Sequence, residues 1–136
     1  MKAMIYLDTN IFVYPHTGDD TKSSACVKIL ERAMSEEIKA GTSIITWDEF
    51  QHALKKKFHD RKKAVELSKD FLSMPNIKFF EANKEIIEKA QKLTEEYGIN
   101  PRDAIHAATA IINGIKEIIS DDPDFDKVKE IKRISP

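Results

Sequence analysis

The chain has 136 residues, 41% of them apolar and 33% charged. That length supplies the core of one domain and leaves too little for two. The mixture excludes a disordered chain, a collagen-like chain and a membrane-embedded one. Lys plus Arg number 22 and Asp plus Glu 23, for a formal charge of −1, which excludes a uniformly basic nucleic-acid binder but not a local basic patch. A single cysteine, Cys26, excludes an internal disulfide and a multi-cysteine zinc site. No apolar stretch approaches the ~20 residues that span a bilayer, and the start lacks the long apolar core of a signal peptide. The expected compartment is the cytoplasm, away from membranes.

In chain order, Ala3 to Leu7 reads as a short buried strand. Asp8 to Asp20 reads as a loop holding a short helical piece, because Pro15, Gly18 and paired aspartates interrupt it. Thr21 to Lys39 is predicted helical, with Cys26, Ile29, Leu30, Ala33 and Met34 recurring at intervals of three and four, and Gly41 follows as its stop signal. Thr42 to Thr46 is the second strand candidate. Helices are predicted from Trp47 to His59 and from Arg61 to Ser73, ahead of Pro75. Ile77 to Phe80 is the third strand. Asn83 caps a helix from Lys84 to Tyr97 that Gly98 ends, and Pro101 opens another whose small residues Ala104, Ala107 and Ala108 let it lie close to a sheet. Glu117 to Ser120 and Ile131 to Ile134 complete four to five strands.

Strands separated by helices imply parallel pairing with right-handed crossovers. Short apolar strands fit a sheet covered on both faces. The predicted class is a three-layer α/β/α sandwich around a short parallel sheet, with residues 1–136 forming one domain.

Ligands of open parallel sheets bind beyond the carboxyl ends of the strands. Asp8 with Asn10 follows the first strand, Asp48 and Glu49 follow the second, and Ser120 with Asp121, Asp122 and Asp124 follows the fourth. Asp103 lies at the start of a helix that feeds the fourth strand, which puts it at the same edge. Each has a bland explanation. Thr46 and Glu49 fit a capping box, Asp103 suits a helix N-terminus, Asp8 could cap a turn, and the acids around Pro123 suit ordinary turn chemistry. Their coincidence at one edge changes the inference. Gathered carboxylates repel one another and are stabilised by a cation. A hard oxygen set without Cys or His selects Mg²⁺ or Mn²⁺, the arrangement used for metal-assisted phosphodiester hydrolysis.

The segments Tyr6-Leu7-Asp8-Thr9-Asn10-Ile11, Thr46-Trp47-Asp48-Glu49, Arg102-Asp103-Ala104-Ile105-His106-Ala107-Ala108-Thr109-Ala110 and Ser120-Asp121-Asp122-Pro123-Asp124-Phe125 together resemble the PIN-domain ribonucleases, most closely the small toxin subunits of VapBC toxin–antitoxin modules. The resemblance runs over essentially the whole chain. It implies that Asp8, Glu49, Asp103 and Asp122 are the catalytic acids that hold Mg²⁺ or Mn²⁺, with Asn10 and Ser120 orienting them by hydrogen bonds. Asp121 and Asp124 are alternatives for the fourth acid. It further implies direct attack by water on RNA, with either Glu49 or Asp103 able to accept its proton, a homodimer, and an antitoxin whose tail docks by the active site.

Lys55-Lys56-Lys57-Phe58-His59-Asp60-Arg61-Lys62-Lys63 holds six basic residues in nine positions. It reads either as a solvated helix face or as an RNA-contacting rim, with Lys55, Lys56, Arg61 and Lys62 as candidates. His106, three residues after Asp103, reads as packed between helix and sheet, with approach to the metal as the alternative; Cys26 is expected in the core, as is Trp47, with stacking on a base as its alternative; and Arg102, the one basic residue within these motifs, reads as a helix-surface residue. Rival classes are a PIN nuclease of RNA processing without an antitoxin, a degenerate PIN binding module, and a receiver-like or nucleotide-binding module that only binds Mg²⁺. The last lacks both the placed phosphoacceptor Asp with its later Lys and a G-x-x-x-x-G-K loop.

Overall fold

A computed structural model describes residues 2–18 and 20–136. Its sheet has five strands, β1 (Met4–Leu7), β2 (Lys39–Ser43), β3 (Ile77–Phe80), β4 (Glu117–Ile119) and β5 (Lys132–Ile134), in the order β3-β2-β1-β4-β5. Every neighbouring pair is parallel. The helices are α1 (Thr9–Thr17), α2 (Thr21–Met34), α3 (Thr46–Phe58), α4 (Arg61–Leu72), α5 (Lys84–Tyr97) and α6 (Pro101–Ile112), with a 3-10 turn at Pro123–Lys127. Among the described residues, no helix is long and apolar enough to cross a membrane.

The period-two alternation of strands divides the core. Tyr6 and Ile118 face one cluster, with Ile86, Leu93, Ala104, Ala107 and Ala108 from α5 and α6. Their neighbours Leu7 and Ile119 face the other, with Ile11, Phe12, Cys26, Leu30, Phe50, Leu54 and Phe71 from α1 to α4. Three layers result, as the alternation of strands and helices predicts. Cys26 is fully buried on its apolar stripe.

Several boundaries differ from those the sequence suggests. Asp8 to Asp20 is mainly helix rather than loop: Asp8 caps α1 through its own carboxylate, and Pro15 is tolerated inside it. The helix expected to reach Lys39 ends at Met34. Glu36 adopts a left-handed φ of 64°, and backbone bonds Glu36 N–H to Ala33 O and Ile38 N–H to Arg32 O turn the chain back toward the sheet. The second strand therefore starts at Lys39 rather than Thr42, in register with Met4 of β1. Gly41 is not a stop signal but an interior strand residue. A Cβ there would come within 2.5 Å of the Phe80 ring and 3.2 Å of the Lys78 carbonyl. Strand propensity in Thr42–Thr46 loses to this pairing, and Ile44 is left 45% exposed. Trp47, expected in the core, is 38% exposed on the first turn of α3.

Because Gly41 lets Phe80 approach, Gly41→Ala overpacks the β2–β3 contact. The expected cost is about 1–3 kcal/mol, read as a lower urea midpoint at unchanged slope.

Candidate active site

All five strands end at one edge, and the acids gather there. The Asp8 N–H bonds the Ile119 carbonyl at 3.1 Å, which ties the end of β1 to the end of β4. An open cleft of about 340 Å³ is lined by Asp8, Asn10, Glu49, Arg102, Asp103 and Asp122, together with Thr9, Val13, His52 and Ala53.

Asp8 is held from two sides. Its Oδ1 accepts from Thr9 N–H at 2.8 Å. Its Oδ2 accepts from the Ser120 hydroxyl at 2.6 Å and from Asn10 Nδ2 at 3.2 Å. Ser120 Oγ in turn accepts from Asp122 N–H at 3.0 Å. Asn10 and Ser120 thus orient Asp8 and link it to the Asp122 turn.

The acids after β4 separate. Asp121 leaves the cleft: its carboxylate accepts from the Tyr14 hydroxyl at 2.8 Å and pairs with Lys22 at 3.1 Å, contacts that hold its pKa below the ordinary aspartate range. Asp122 and Asp124 stay with Asp103, and one carboxylate oxygen from each lies within 4.8 Å of the others. Asp122 also caps the 3-10 turn by accepting from Asp124 N–H at 2.9 Å. Asp103 sits in the first turn of α6, where the helix dipole favours an anion. Burial, reinforced by Asp122 and Asp8, nevertheless pushes its pKa from 3.8 to about 7. An all-oxygen trio with a carboxyl forced toward its neutral form suits a hard divalent cation such as Mg²⁺ or Mn²⁺. Asp103, Asp122 and Asp124 would meet it directly, with Asp8 and Glu49 at the same cleft.

Glu49 is not a cap. The residue ahead of α3 is Ile45, with no side-chain capping bond. The Thr46 hydroxyl instead turns inward to Thr42 Oγ1 at 2.7 Å, and Thr42 donates to the Leu7 carbonyl at 2.8 Å. Freed from the backbone, Glu49 Oε1 takes donors from His106 Nε2 at 2.5 Å and Thr9 Oγ1 at 3.1 Å. Burial pushes the Glu49 pKa up, but His106, Thr9 and the charge of Arg102 outweigh it and hold the group below the ordinary range.

His106 is fully buried, as the sequence suggests, but it does more than pack. Besides Glu49, its Nε2 lies 3.6 Å from Asp8 Oδ1, and its Nδ1 lies 2.6 Å from the Tyr6 hydroxyl. Burial opposes its charged form, yet Tyr6 and then the Glu49 and Asp8 carboxylates raise its pKa well above 6.5. Its place three residues after Asp103 on one helix face is the sequence signal for this contact. Arg102 is exposed, as expected, and it also lines the cleft. Lys55, Lys56, Arg61 and Lys62 are exposed at the end of α3 and the start of α4, outside the cleft lining.

The family model described as "PIN domain" matches residues 5–131. No curated protein sequence shows a significant match. Solved structures share the fold. A toxin–antitoxin complex from Klebsiella pneumoniae is 22% identical, with TM-score 0.67 over 94% of this chain and 95% of that one. The VapBC2 complex of Rickettsia felis, bound to a promoter DNA fragment, is 18% identical, with TM-score 0.71 over 97% and 98%. VapC20 of Mycobacterium tuberculosis, a toxin that cleaves the sarcin–ricin loop, is 17% identical, with TM-score 0.74 over 92% and 95%.

The raised Asp103 pKa has a thermodynamic consequence. Between 3.8 and about 7 the folded chain keeps a proton there that the unfolded chain has released. Metal-free stability therefore falls as pH rises through that window. Asp103→Asn should raise the melting temperature of metal-free protein at about pH 8, with the advantage fading toward about pH 4.

Proposed function

This chain belongs to the PIN domain family, and on that premise we propose that it is a divalent-metal-dependent endoribonuclease, the toxin of a type II toxin–antitoxin pair. The observation that carries the reading is the convergence of acids from four chain segments on one cleft, with Asp103, Asp122 and Asp124 mutually within 4.8 Å. Carboxylates crowded to that degree are stabilised by a cation, and the donor set favours Mg²⁺ or Mn²⁺ over a softer metal.

In this reading Asp8, Glu49, Asp103 and Asp122 are the catalytic, metal-holding acids, with Asp124 assisting and Asp121 engaged elsewhere. Bound Mg²⁺ or Mn²⁺ supplies a more acidic water and charge neutralisation at the scissile phosphate. Asn10 and Ser120 keep Asp8 aimed into the cleft. Glu49 or Asp103 accepts the proton of the attacking water, and no covalent enzyme intermediate forms. Arg102 offers a guanidinium to a phosphate at the cleft. Lys55, Lys56, Arg61 and Lys62 offset the repulsion between an acidic cleft and RNA by contacting the flanking backbone.

The partners follow the same reading. An apolar pocket of about 210 Å³, lined by Phe12, Leu30, Phe50, Leu67, Phe71 and Met74 among others, suits side chains of an antitoxin tail. Exposed Ile44, Trp47 and Val65 suit a homodimer or antitoxin interface. The domain spans 1–136 and acts in the cytoplasm. The fold shared with the toxin–antitoxin complexes of Klebsiella pneumoniae and Rickettsia felis supports this reading.

Purified protein should cleave structured RNA with Mg²⁺ or Mn²⁺ and stop on addition of EDTA. Asp8→Asn and Asp103→Asn should each lower the rate by on the order of 10²- to 10³-fold while keeping the wild-type circular dichroism spectrum. Unchanged cleavage by both variants refutes the site. Mapping RNA ends after expression of wild type beside Asp8→Asn identifies the target, and the absence of any ends specific to wild type would remove the toxin assignment.

A further inference from the structure

His106 is the only histidine among the described residues that is fully buried, and every polar atom of its ring is engaged. The ring stands beneath the cleft rather than in its lining. An ionised Glu49 can only accept, so the hydrogen between them belongs to His106 Nε2. Both donors to Glu49, His106 and Thr9, address Oε1, and Oε2 receives none among the described residues. The imidazole is itself braced from behind. Its Nδ1 meets the Tyr6 hydroxyl at 2.6 Å, and Tyr6 Oη accepts the Ser43 N–H at 2.9 Å. Tyr6 is fully buried in β1, and Ser43 closes β2, so the brace runs from the sheet backbone to the carboxylate. Among the described residues, the one other donor to Glu49 is the Thr9 hydroxyl at 3.1 Å, from the first turn of α1.

We propose that His106, held by Tyr6, is a positioning residue that fixes Glu49 through Oε1 and thereby presents Oε2 to a divalent cation in the cleft. The proposal rests on the metal-dependent reading above and adds to it a residue that does not itself touch metal or substrate. A ring that merely filled space would be replaceable by an apolar side chain of similar volume. A positioning ring is replaceable only by one that keeps an N–H at the same reach, as Gln does.

Mn²⁺ binding to the purified, RNA-free protein, measured by calorimetry, decides the matter. His106→Leu should weaken Mn²⁺ binding by about 10- to 100-fold, and His106→Gln should restore most of it. In RNA cleavage at saturating metal, His106→Leu should lower kcat while leaving KM for RNA near wild type. If His106→Leu does not fold, Tyr6→Phe takes its place: it keeps the imidazole and removes the brace, and it should weaken Mn²⁺ binding in the same direction. Wild-type Mn²⁺ affinity in folded His106→Leu, or equal loss in the Leu and Gln variants, overturns the positioning role and leaves the metal-dependent reading standing. Failure of wild-type protein to bind Mn²⁺ at all overturns that reading, and the positioning role with it.

Discussion

Like charge brought together at a sheet edge is the constraint on which this molecule turns. Parallel strands must all end on the same side, so residues that follow them cannot avoid one another. Asp8, Glu49, Asp103 and Asp122 are consequently neighbours in space although they span most of the chain. Such crowding costs folding free energy unless each carboxylate is hydrogen-bonded, neutralised or protonated. All three solutions are visible. Asp8 is hydrogen-bonded by Thr9, Ser120 and Asn10, Glu49 faces an imidazole, and Asp103 tends toward its neutral form.

The fold divides this burden between two layers of the cleft. Deep in it, Asp8 and Glu49 share His106, which the sheet braces through Tyr6. Toward the mouth, Asp103, Asp122 and Asp124 form the compact oxygen trio, in which Asp122 accepts the Asp124 N–H and Asp124 pairs with Lys127 at 3.4 Å. The deep layer is preorganised by protein and the outer one is open to a cation. Helix α6 serves both, because positions three apart lie on one face: Asp103 reaches the mouth and His106 the floor. Its small residues Ala104, Ala107 and Ala108, all fully buried, let that face sit close enough to the strands for the His106 contact to form.

All four acid-bearing segments are legible without tertiary information, because an acid directly after a strand or in the first turn of a helix is a local pattern. Each also has a capping or turn explanation, and the structure removes that of Glu49. Its capping-box spacing with Thr46 is a sound local signal, and it failed because Thr42 offered the Thr46 hydroxyl a buried partner. Trp47 is exposed for a related reason: β2 pairs earlier than the run Thr42–Thr46 suggests, and the first turn of α3 buries Thr46 and leaves Trp47 outside.

By itself the sequence determined the alternation of strands and helices, the faces those helices bury and the order in which acids arrive at the edge. These follow from periodicity and capping, which act over a few residues. Tertiary structure alone decided the register of β2, the departure of Asp121 from the cleft, the approach of Asp124 to Asp103, and the partnership of Glu49 with His106. Each of those outcomes depends on groups distant along the chain: Phe80 against Gly41, Tyr14 and Lys22 drawing Asp121 away, and Tyr6 bracing an imidazole 100 residues on. Contacts of that span are set by packing, and no local pattern encodes them.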